Sequence, residues 1–249
     1  NITLIVTNLF VKIKIIKPNI MKSKRSFLVI IICLMMIVPN IASAQYRSFI
    51  LGIKAAPSIS WMTTNQDDYS SEGAKIGFSW GVTSEFYFAK NYALATGLQF
   101  LYTGGKLSYP EVKEGVAVSL TRDYRIRFLE IPAVLKLKTN EIGSFKYFGQ
   151  IGLGFGVRMN SKGEDEYRLN GQTILEDYSD IDSDTRLFRT SMIIGAGVEY
   201  PFDNNTSLVA GVNFNNGFTN ALKGKNSVNI YNEHRAKTNF IELSLGVMF

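Results

Sequence analysis

The sequence predicts an all-β fold: an eight-stranded antiparallel up-and-down transmembrane β-barrel with short periplasmic turns and long extracellular loops. Three observations predict it. After residue 44 apolar residues recur with a period of two, and no window keeps a helical stripe over several turns. The two alternating sets differ in kind, one aliphatic or aromatic, the other small, polar or charged. The connections between alternating segments are in turn short and long, as an up-and-down barrel requires.

The first segment sets Phe49, Leu51, Ile53, Ile59 and Trp61 against Gly52, Lys54, Ser58 and Ser60. The second opposes Ile76, Phe78, Trp80, Val82, Phe86 and Phe88 to Lys75, Gly77, Ser79, Gly81 and Glu85, and a turn at Ala89-Lys90-Asn91 follows. The third places Tyr92, Leu94, Leu98, Phe100 and Tyr102 opposite Ala93, Gly97 and Gln99. The fourth, from about Arg122 to Lys138, carries Leu129, Ile131, Leu135 and Leu137 against Glu130, Pro132, Lys136 and Lys138. After a turn near Asn140, the fifth opposes Tyr147, Ile151, Leu153, Phe155 and Val157 to Lys146, Gln150, Gly152, Gly154, Gly156 and Arg158. The sixth sets Phe188, Met192, Ile194, Val198 and Tyr200 against Arg189, Ser191, Gly195 and Glu199, and Pro201 to Asn205 supplies turn residues. The seventh opposes Leu208, Val212 and Phe214 to Gly211, Asn213 and Asn215; the eighth opposes Ile241, Leu243, Leu245, Val247 and Phe249 to Glu242, Ser244 and Gly246. The stretches 63–73, 104–121, 160–185 and 216–237 read as the long polar loops.

Charge needs the same positional reading. The chain of 249 residues has 27 Lys and Arg against 21 Asp and Glu. Six of the basic residues lie in 1–44, which has no acidic residue, so the rest is formally neutral and does not call for a nucleic-acid partner. Met21 is followed by Lys22, Lys24 and Arg25, the apolar run Phe27–Val38 and the triplet Ala42-Ser43-Ala44. This is the layout of a cleaved secretory signal peptide over 21–44, with the cut between Ala44 and Gln45. Residues 1–20 read as a non-native upstream extension, and 45–249 as the barrel domain. Cys33, the one cysteine, falls in the leader, and His234 is the one histidine. Zinc fingers, thiol chemistry and poly-histidine metal sites are excluded, and no cofactor is expected.

A soluble barrel of this size keeps its apolar face inside. Here the bulky set fits a narrow interior poorly and the small set fits it well, so the apolar face should meet outer-membrane lipid. Trp61, Phe88, Tyr92, Tyr102, Tyr147, Tyr200 and Phe249 stand near strand ends, where aromatic rings settle at bilayer interfaces. The charges expected to point into the lumen are Lys54, Lys75, Glu85, Glu130, Lys136, Lys146, Arg158, Arg189, Glu199 and Glu242. Unpaired charges there would be costly, so a plug of salt bridges is expected, with Lys54 and Glu242 forming one pair. Pro132 removes a ladder donor and implies a bulge or local break in pairing.

The segment Phe128-Leu129-Glu130-Ile131-Pro132-Ala133-Val134-Leu135-Lys136, followed by Gly149-x-x-Gly152-x-Gly154, resembles the LEIP-containing strand of the PorT-like outer-membrane β-barrel family. The last strand, ending in Phe249, is similar to the C-terminal signal that such barrels present to their insertion machinery. The resemblance implies outer-membrane location and, from one namesake, a link to secretion; it assigns no functional residue. An envelope or secretion partner is thus expected but not identified.

Two alternatives remain open at this level. Segment 160–185 carries Glu164, Asp165, Glu166, Glu176, Asp177, Asp180, Asp182 and Asp184; it lacks the order of an EF-hand, so a solvated external loop is expected over a calcium site. A rim enzyme would depend on His234, with Ser227 and Glu233 near it in sequence. The expectation is a non-enzymatic membrane component with a largely filled lumen, the alternatives being a narrow porin or a rim-located enzyme.

Overall fold

The computed structural model describes residues 49–203, 205–228 and 233–249. Ten strands run β1 (Phe49–Thr63), β2 (Ser70–Gly73), β3 (Lys75–Ala89), β4 (Tyr92–Lys113), β5 (Val116–Lys138), β6 (Lys146–Leu169), β7 (Gln172–Asp180), β8 (Phe188–Pro201), β9 (Ser207–Gly217) and β10 (Lys237–Met248). Eight of them, β1, β3, β4, β5, β6, β8, β9 and β10, form a closed ring of antiparallel neighbours. Closure is made by β10 on β1, in register from Gly52↔Met248 to Thr63↔Lys237. Phe249 extends that seam, its N–H donating to the Leu51 carbonyl at 2.7 Å and its own carbonyl accepting from Leu51 at 3.1 Å.

The bulky set faces outward all round the ring: Ile53, Ile59, Trp80, Phe86, Phe155 and Leu245 are exposed. The small and polar set faces inward, with Ser58, Ser60, Ser79, Gln99 and Asn213 buried. Apolar surface on every strand of a closed ring could not remain in water without association, and it matches what lipid requires.

The segments 104–121 and 160–185 depart from the expectation of long loops. They are mostly strand, so that β4–β5 and β6–β7 are hairpins rising beyond the other strands. Each turns on two left-handed residues, Glu114-Gly115 (φ 50° and 82°) and Asn170-Gly171 (φ 51° and 82°), the backbone that suits a two-residue hairpin turn. Their charges suggested loops because the charges pair across the ladder. Arg122 and Asp165 are direct Cα partners on β5 and β6, and Arg122 Nε lies 2.5 Å from Asp165 Oδ1. Meanwhile Tyr109, Leu120, Tyr124, Ile126 and Tyr167 turn inward and join Met62, Leu101, Phe128 and Phe240 in one buried cluster. Each such side chain contributes about 1.5–3 kcal/mol on full burial.

Two local irregularities follow from sequence. Opposite Pro132 the β4–β5 ladder lapses between Thr96↔Ala133 and Gln99↔Glu130 without a change of register; this is a break rather than a bulge. Between Arg127 and Phe128 on β5 the register to β6 does shift, leaving Met159 unpaired. Beyond that bulge the inward face of β6 changes phase, so that Ser161, Gly163, Asp165 and Tyr167 are buried.

Candidate functional site

The lumen is where the inward side chains of all eight ring strands converge, and they arrange themselves in layers. Nearest the short turns, Glu85 of β3 binds Lys136 Nζ at 2.5 Å through one oxygen and Lys138 Nζ at 2.8 Å through the other. Lys138 also pairs with Glu199 of β8, so the bridge crosses the lumen. Lys136 and Lys138 reach the same group because they are two apart on one face of β5.

The middle layer is centred on Glu242 of β10. It accepts from Lys54 Nζ at 3.2 Å, Ser79 Oγ at 2.9 Å and Asn213 Nδ2 at 2.9 Å. In the layer above, Arg189 of β8 donates to five groups: Glu130 Oε2 (2.7 Å), Ser191 Oγ (3.0 Å), Asn215 Oδ1 (2.6 Å), and the hydroxyl and carbonyl of Thr238 (2.9 and 3.3 Å). A guanidinium has five N–H donors, so each is used. The other oxygen of Glu130 accepts from Gln99 at 2.7 Å. Glu130 fits there because residue 154 is glycine: a Cβ on Gly154 would stand 2.8 Å from Ser191 Oγ and 3.1 Å from the Glu130 carboxyl carbon.

These layers hold four cations, Lys54, Lys136, Lys138 and Arg189, and four carboxylates, Glu85, Glu130, Glu199 and Glu242, each in an ion pair. The cavity left among them is about 90 Å³, room for a few waters. The buried apolar cluster, including Leu101, Phe128 and Phe240, continues the filling toward the hairpin end.

Seven of the ten charges read from the sequence therefore meet in the lumen, and three lie elsewhere. Lys75 sits at the hairpin-end rim, paired with Asp123. Lys146, at the short-turn end, is half-buried opposite Glu199 in the ladder, and no ion pair involves it among the described residues. Arg158 stands beside the β6 bulge and donates instead to the Asp182 and Thr185 carbonyls, both at 2.5 Å, and to Thr185 Oγ1 at 2.6 Å. Lys138 is missing from the expected lumen charges although its alternation places it there; its position at the last residue of a strand hides it. The proposed cut at Ala44 and Gln45 lies outside the described residues.

His234 is built into a contact between loops. Its Nδ1 and the Tyr69 hydroxyl share a hydrogen bond of 2.7 Å, and Asn226 Nδ2 donates to the same hydroxyl at 3.1 Å. Burial pushes the His234 imidazole below its usual range. Ser227 Oγ accepts from the Val112 N–H, and Glu233 pairs with Arg235, so neither bonds to His234. In the acidic segment Glu164 pairs with Arg125, Asp165 and Asp184 with Arg122, Glu166 with Arg168, and Asp182 with Arg158. Among the described residues no three His, Cys, Asp or Glu side chains converge as a metal site.

No curated protein matches the chain. Among solved structures it is similar to Neisserial surface protein A (18% identity, 81% of this chain and 96% of that one, TM-score 0.41). It is also similar to a major outer membrane protein from Thermus thermophilus (12%, 79% and 98%, TM-score 0.42) and to the outer membrane protease OmpT from Escherichia coli (10%, 84% and 99%, TM-score 0.36). Residues 43–201, more than half of the chain, match the family described as "Outer membrane protein beta-barrel domain". With a ring whose outer face suits lipid and whose inner face is closed on itself, the chain belongs to that family of outer-membrane β-barrels.

Proposed function

We propose that this protein is a non-enzymatic, non-conducting outer-membrane barrel of the PorT-like kind, and that it acts through its extracellular hairpins in an envelope or secretion assembly. The observation that carries this reading is the pairing of every charge within the lumen, four against four, beneath an apolar seal. A porin needs a continuous aqueous path, and charged linings left free to meet the solute. An enzyme at the rim needs a base within reach of a nucleophile, whereas His234 is spent on Tyr69. The hairpins β4–β5 and β6–β7 are ordered by their own core and cross-strand pairs, which suits a surface presented to a partner. Planar-bilayer recording on the purified full chain should give no conductance steps; regular ohmic steps would overturn the closed-barrel reading.

A further inference from the structure

The hairpin end of the barrel is uneven. β4 to β7 rise above it, while β8, β9, β10 and β1 stop near its rim. Over the low side lies an open cleft of about 1100 Å³, bounded by the β1–β2 connection, the start of β8 and the β9–β10 connection. Four cations line it, Arg186, Lys223, Arg235 and Lys237, against the single carboxylate of Glu233.

That excess is local and unquenched. Residues 45–249 are formally neutral overall, and the neighbouring segment 160–185 is strongly acidic. Glu233 engages Arg235 at 3.4 Å with both side chains largely exposed, a pairing worth little in water. Arg186 is anchored by its Nε, which donates to the Leu222 carbonyl at 3.1 Å. No ion pair involves Arg186, Lys223 or Lys237 among the described residues, and no undescribed residue is acidic.

The floor of the cleft is apolar. Phe188 and Phe218 are exposed and continue the outward columns of β8 and β9, above the stacked pair Trp61 and Phe214. Aromatic rings at the end of lipid-facing columns mark the headgroup level of the bilayer. The cations that line the same cleft as these rings therefore stand near the height of lipid phosphates in the outer leaflet.

We propose that this cleft binds a phosphate-bearing lipid of the outer leaflet, its phosphates held by Arg186, Lys237 and Arg235 and its acyl chains laid along Phe188 and Phe218. A soluble phosphate would use the cations but leave the rings unexplained; a neutral lipid would use the rings but leave the cations unexplained. The lipid supplies both chemistries at the spacing the barrel offers. The inference is independent of whether the lumen conducts.

Native mass spectrometry of the full chain, released from detergent, tests it with diphosphoryl lipid A, the same lipid dephosphorylated, and inorganic pyrophosphate. The wild-type barrel should retain diphosphoryl lipid A, and Arg186→Gln/Lys237→Gln should weaken retention about tenfold or more, since each lost contact is a hydrogen bond between charged groups. Phe188→Ser/Phe218→Ser should weaken it too, while Lys106→Gln/Lys162→Gln on the hairpins should not. Heat-modifiable migration of each variant on gels checks that the barrel is folded; where the first pair fails to fold, Lys223→Gln/Arg235→Gln on the connection takes its place. Equal retention by the cation variants, or of the dephosphorylated lipid, would overturn the proposal. So would pyrophosphate binding as tightly as the lipid, which would assign the cations to a soluble anion.

Discussion

Arg189 illustrates how a charge is kept inside a narrow barrel. Its five donors all have acceptors, and its counter-ion Glu130 is itself fully buried and held by Gln99. Removing one member of such a pair leaves the other charge buried and uncompensated, which costs about 3–5 kcal/mol. Glu130→Ala should lose stability by about that amount in urea titrations followed by Trp61 and Trp80 fluorescence in lipid vesicles. Glu130→Ala/Arg189→Met, which removes both charges, should recover most of it. A single variant as stable as wild type would mean that Arg189 reaches water, and the lumen would be wetter than its packing implies. The inward direction of both residues was legible in the sequence, because alternation fixes the face of each side chain. Which carboxylate meets which cation was legible only for Lys54 and Glu242, near the closing seam; the others depend on register, which a period of two does not specify.

At the scale of the element, the two hairpins were the part least legible. Alternation within the bilayer is simple because one face meets lipid. Above it both faces of β5 and β6 carry charge, and the β6 bulge at Met159 reverses the phase that extrapolation from Tyr147 to Val157 would continue. The loop that joins β9 to β10 depends on a different device, the latch between His234, Tyr69 and Asn226. Tyr109 lies against the imidazole, and burial, helped by the charge of Arg122, outweighs the carboxylates of Glu111 and Asp184 to depress its pKa. With the latched value below the ordinary ~6.5 of a free imidazole, the open state binds the proton more readily. The latch is therefore at full strength above about pH 6.5 and weakens as pH falls through that value toward the latched pKa. Amide hydrogen exchange at 233–236 should accelerate between about pH 7 and pH 5 relative to the intrinsic rate, and His234→Phe should flatten that dependence. An unchanged protection factor across this range would show that the latch does not depend on a neutral imidazole.

For the molecule as a whole, closure is achieved twice by different physics. Paired charges fill the half nearest the short turns, and apolar side chains, among them Leu101, Tyr124, Phe128 and Phe240, fill the half nearest the long hairpins. A charged plug excludes ions by occupying the volume and by leaving no counter-charge free; an apolar one excludes them because they would lose their hydration. The two barriers stand in series, so either one alone should stop conduction. Replacing Lys54, Glu85, Glu130, Lys136, Lys138, Arg189, Glu199 and Glu242 by serine removes the first barrier with no change in net charge, since four cations and four carboxylates go together, and the barrel should remain silent in bilayer recording. Leu101→Ser/Phe128→Ser/Phe240→Ser, which opens the second, should be silent as well, because the charge layers stay in place. Only the combined variant should show steps, and its conductance should be small, since a ring of eight strands leaves a narrow path. Steps from the serine-lined variant alone would mean that the apolar half carries its own water channel, and would return the narrow porin to consideration.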